Sequence, residues 1–74
     1  MNEQLKKDFA KAIVTMSLYN AAEGQMWFQE ERQRDEAQKN LKILYKEMVS
    51  VYGKDETIQL VNSIPNLIGK SDLE

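Results

Sequence analysis

The chain contains no cysteine and no histidine, a single proline and three glycines. Without cysteine there is no disulfide and no thiolate nucleophile, and without histidine there is no imidazole base and no zinc site of the usual ligand set. The glycines, at positions 24, 53 and 69, stand too far apart to build a phosphate-cradling loop. Long apolar runs are missing too. The uncharged stretch 12–22 has eleven residues and includes Thr15, Ser17, Tyr19 and Asn20, and 57–69 has thirteen and includes Pro65, both well short of the roughly 20 apolar residues of a membrane-crossing helix. Lys6, Lys7, Asp8 and Lys11 interrupt the beginning of the chain, so no clean signal-peptide core forms and a mature, cytoplasmic protein is expected.

What is present is a soluble, helix-forming composition. The 74 residues are 42% apolar and 30% charged, too hydrophobic for a disordered chain and enough for one small domain. Between residues 3 and 52 there is no proline, and Ala, Leu, Glu, Lys, Gln, Arg and Met dominate, so summed propensity favours helix throughout. Ten basic against twelve acidic side chains leave a net charge of −2, which offers no overall attraction to nucleic acid or anionic lipid.

Breaks at Gly24, Gly53 and Pro65 divide the chain into helix 1 (3–23), helix 2 (25–52) and helix 3 (55–64, with a further turn to 69), followed by a frayed tail at 70–74. The expected fold is all-α: a small three-helix domain with two long antiparallel helices and a shorter C-terminal one, its core completed by dimerisation. Helix 1 places Leu5, Phe9, Ala12, Ile13, Met16 and Tyr19 on one face and Ala10, Val14, Leu18 and Ala21 on the other. The second face is the expected self-association surface of a homodimer. Helix 2 carries a heptad-like row, Trp27, Glu30, Arg34, Ala37, Leu41, Leu44, Met48 and Val51, with charge in its middle. Glu30 and Arg34 stand in the favourable order for an intrahelical ion pair. A continuous helix through Gly24 is the alternative, because Gln25 and Met26 are poor N-caps. Asp55 is the expected cap of helix 3, with Glu56 in its first turn.

Little of this can carry catalysis. Ser17, Ser50, Ser63, Ser71, Thr15 and Thr57 have no histidine to activate them, and no Ser-x-x-Lys pattern occurs. The acids Glu30, Glu31, Asp35 and Glu36 are interleaved with Arg32 and Arg34 on what reads as a solvated helix surface, which lacks the burial that two-carboxylate chemistry needs. Neither a di-iron nor a calcium-loop pattern is present, and Asp72 with Glu74 reads as part of a solvated tail. No catalytic residue, metal ligand or cofactor is expected.

Apolar side chains that fit no core face point instead to a protein partner. Met26, Trp27 and Phe28 form an adaptable cluster, Ile43 falls among Lys39, Lys42 and Lys46, and Glu30, Arg34 and Lys42 would set orientation. The expected function is a non-enzymatic helical module that docks on a larger protein as a regulator, inhibitor or assembly factor. By analogy of size alone, it would suit a phage or mobile-element protein. The alternative is a dimeric DNA-binding transcriptional regulator using Lys6, Lys7 and Lys11, or Lys39, Lys42 and Lys46, on phosphates. The acidic balance of the chain and Asp35 within the lysine stripe count against it.

Overall fold

A computed structural model describes residues 3–22 and 28–74, with the side chains of residues 28 and 29 not described. Among the described residues there are four helices and no strand: α1 (Glu3–Ala21), α2 (Phe28–Tyr52), α3 (Lys54–Ser63) and α4 (Lys70–Leu73). The 25 residues of α2 rise roughly 38 Å at 1.5 Å each, so this helix alone accounts for the 39 Å long axis of the molecule.

The two long helices are antiparallel. Near one end of α1 the Lys6 ammonium lies 4.5 Å from the Tyr52 ring centroid, and near the other the Tyr19 hydroxyl donates to Gln33 Oε1 at 3.2 Å. The rings of Phe9 and Tyr45 meet between them at 6.3 Å. A continuous helix through Gly24 is thereby excluded, although the turn itself lies outside the described residues. The predicted inner face of α1 is the one buried: Phe9, Ile13 and Met16 are fully enclosed, with Leu5 and Ala12 nearly so. The outer face, expected to be sandwiched, has no cover among the described residues; Val14 is 46% and Leu18 68% exposed.

On α2 the heptad row needs a correction. Leu41 and Met48 are fully buried, but Val51 is 53% exposed, and Tyr45 and Tyr52 take core positions instead. A strict 3.5-residue repeat drifts about 20° per heptad on a straight helix, and here the buried stripe follows the natural 3.6 period through Leu41, Tyr45, Met48 and Tyr52. Helix α3 folds back over the C-terminal half of α2 and contributes Val61 and Thr57 to the interior.

Two boundaries also differ from expectation. Helix α3 begins at Lys54 with Gly53, not Asp55, as its N-cap; Gly53 adopts φ 90° and ψ 160°, a conformation essentially reserved for glycine. The Thr57 hydroxyl returns a 2.7 Å bond to the Gly53 carbonyl. Helix α3 stops at Ser63 as Pro65 requires, because a residue before proline is pushed to extended backbone, which Ile64 adopts at φ −105° and ψ 123°. Asn66 Nδ2 then caps the freed carbonyls of Val61 and Ile64. The second difference is larger. Residues 70–74 are not frayed: Lys70–Leu73 forms α4, with Asp72 and Leu73 both buried.

Candidate interaction site

The order of α4 comes from a polar junction between α1, α2 and α4. Asp72 is 4% exposed, and its Oδ2 accepts from the Gly69 amide at 2.9 Å and Asn20 Nδ2 at 3.1 Å, while Oδ1 accepts from Gln38 Nε2 at 2.9 Å. Arg34 stands behind Asn20, donating to its Oδ1 at 2.8 Å, and its Nε is buried without a partner. Burial pushes the Asp72 carboxyl up, but the bonds from Gly69, Asn20 and Gln38 and the charge of Arg34 outweigh it and hold the pKa below 3.8. The reading of Asp72 as a solvated acid is therefore corrected. A carboxylate with this many donors is ionised and fixed.

Arg34 thus turns into the molecule toward Asn20. Lys42 is half-buried, Glu30 is exposed, and Ile43 stands 58% exposed on the outer side of α2. Met26 and Trp27 lie outside the described residues, and Phe28 is described only as the first residue of α2. Among the described members of the predicted cluster of Met26, Trp27, Phe28, Glu30, Arg34, Lys42 and Ile43, Ile43 and Arg34 lie on opposite sides of α2. The predicted self-association face is coherent: Val14, Leu18 and Ala21 are exposed and Ala10 half-buried along one side of α1.

Beside that face runs a feature the sequence reading did not include. A depression of about 420 Å³ is lined by Thr15, Leu18, Tyr19, Ala22, Glu30 and Gln33. A second, of about 320 Å³, is lined by Asp8, Lys11, Ala12, Thr15, Ala37, Asn40 and Leu44. Thr15 borders both, so they join into one trough between α1 and α2, and neither is walled by α3 or α4. From Asp8 to Ala22 the trough follows α1 for roughly 21 Å, the length of about four helical turns. Its floor is small and apolar at Ala12 and Ala37, its shoulders Leu18 and Leu44, and its rim charged at Asp8, Lys11 and Glu30. Its signal in the sequence is the small side chains Ala12 and Ala37 on the two facing helices, legible only once the pairing of the helices is known.

No group of three or more acidic, histidine or cysteine side chains suited to a metal ion occurs among the described residues, and none of their helices is long and apolar enough to cross a membrane. The acids Glu30, Glu31, Asp35 and Glu36 all lie exposed on α2. No family model, no curated protein and no solved structure matches the chain.

Proposed function

We propose that this protein is a non-enzymatic helical binding module that receives an amphipathic helix of a larger protein partner in the trough between α1 and α2, acting as a regulator, inhibitor or assembly factor. The observation that carries the reading is the trough itself, helix-sized, alanine-floored and bordered by Leu18 at 68% exposure. An incoming apolar side chain set at i, i+3 and i+7 would meet the floor, and the charged rim would fix its direction.

The exposed face of α1 does not by itself carry a tight homodimer. Burying a whole Val or Leu contributes about 1.5–3 kcal/mol, so covering the exposed fractions of Val14 (46%) and Leu18 (68%) on two copies gives about 3–7 kcal/mol. Association costs about 4–15 kcal/mol in lost freedom. A homodimer through Ala10, Val14, Leu18 and Ala21 is then at best weak and concentration-dependent. A DNA-binding dimer is the weaker reading, because Lys39, Lys42 and Lys46 share the outer side of α2 with Asp35, Glu36 and Glu47.

The test is affinity capture from cells that make the protein, using the native chain, Thr15→Arg in the trough, and Lys39→Glu on the opposite side. The reading expects one partner retained by the native chain and by Lys39→Glu and lost with Thr15→Arg. Retention that ignores Thr15→Arg and follows Lys39→Glu overturns it.

A further inference from the structure

Helix α4 is four residues long, too short to hold its shape alone, so its position is set by the seat that receives it. The seat has two parts. One is a carboxylate receptor made by residues remote in sequence: Asn20 from α1 and Gln38 from α2 donate to Asp72, and Arg34 from α2 supplies positive charge behind them. The other is apolar, where Leu73, 8% exposed, completes the core cluster that includes Tyr45 and Val61. A groove of about 350 Å³ runs alongside between α2, α3 and α4.

Both halves of the receptor belong to other helices and do not depend on which chain supplies the ligand. The receptor also has an unused donor, since Arg34 Nε is buried without a partner. Residues 64–69 link α3 to the seat without helix or strand, held by Asn66 and by the bonds of Leu67 with Ser17 and Asn20, while the ion pairs of Glu74 with Lys54 and Lys70 are exposed, at 3.8 and 3.9 Å.

We propose that the α4 seat is a peptide-binding site for an acidic residue followed by a large aliphatic one, filled within this chain by Asp72 and Leu73, and that a partner segment of that chemistry displaces α4. This site is separate from the trough and does not rest on it. The chain's own segment shows what the seat accepts: a planar carboxylate with both oxygens engaged and a leucine one position later. Because the tether is short, the resident segment competes at an effective concentration in the millimolar range, and a foreign segment must bind tightly or be presented on a large surface.

Two measurements on the full chain test this. Hydrogen exchange of the native protein should show the amides of Gly69, Asp72 and Glu74, bonded to Asp72 Oδ2, Gly69 O and Lys70 O, exchanging at least about ten-fold faster than those of Leu41 and Met48, through local opening. A labelled peptide of sequence GKSDLE should bind the full-length double variant Asp72→Asn, Leu73→Ala at least about ten-fold more tightly than it binds the native chain, in which the seat is filled. The same peptide with Asn in place of Asp should not bind. The proposal is overturned if the α4 amides exchange only at the rate of the α2 core, or if the Asp and Asn peptides bind alike; should the double variant fail to fold, the exchange measurement on the native chain decides alone.

Discussion

Replacing Asp72 with Asn keeps the size of the side chain and removes its charge. One amide oxygen can still accept from Gly69 and Asn20, and Gln38 can turn its own amide to present a carbonyl, so the geometry of the junction has a route to survive. What disappears is the charge assistance on three hydrogen bonds and the attraction of Arg34. Bonds to an ionised group contribute about 1.5–3 kcal/mol against about 0.5–1.5 for neutral ones, a loss of about 1 kcal/mol per bond, and the desolvation cost that a neutral amide escapes brings the net loss to about 1–2 kcal/mol. In a domain of this size 1 kcal/mol moves Tm by about 4–8 °C, which puts the Asp72→Asn variant roughly 4–16 °C below the native protein in a circular dichroism melt at pH 7. The pH dependence gives a second check with a definite sign. A carboxyl held below its ordinary value of 3.8 contributes stability that is present above that value and lost as pH falls through the folded-state pKa. The gap between the two proteins should be full at neutral pH, start to narrow below pH 3.8, and close at stronger acidity. A gap under about 3 °C at pH 7, or one that acid leaves unchanged, refutes the assignment of Asp72 as the ionised anchor of α4.

Other substitutions probe the elements that carry the junction and the trough. Phe9→Ala removes a fully buried ring at the centre of the hairpin and should cost about 3–5 kcal/mol in urea unfolding, a large share of the about 4–11 kcal/mol a chain of this length has. Gly53→Ala meets no atom within 4 Å, so any cost is backbone strain at φ 90°; about 1–3 kcal/mol is expected, and a neutral result would show that the α2–α3 turn can relax. Thr57→Val keeps the shape of a fully buried side chain and deletes its bond to the Gly53 carbonyl, for an expected loss of about 1 kcal/mol in the same assay.

The long helices were legible because their information is local. The face of Leu5, Phe9, Ala12, Ile13 and Met16 repeats at the helical period over three turns, and the stop before Pro65 follows from the backbone of one residue. Helix α4 was not legible for the opposite reason. Lys70–Leu73 is too short to show a period, and its bonds reach 34 residues away to Gln38 and 52 residues away to Asn20. A trace of it was visible in helix 2, where Arg34 interrupts a row otherwise bound for the core. A charged residue on a buried face demands a partner, and Arg34 finds one in Asn20, a neighbour of Asp72. The trough was hidden in the same way: Ala12 and Ala37 are unremarkable until antiparallel pairing brings their helix faces together. The exposed side of α1, by contrast, was readable from Val14 and Leu18 directly.

The most direct test of the central claim is photo-cross-linking from inside the trough. A photoreactive amino acid placed at Leu18, and in a separate protein at Glu36 on the outer side of α2, is activated in cells that make the protein, and the adducts are mapped to the joined peptides. The account predicts one adduct from position 18, to an amphipathic helical segment of a larger protein, absent from position 36 and abolished by Thr15→Arg. An adduct only to a second copy of this chain, or the same adducts from both positions, contradicts it.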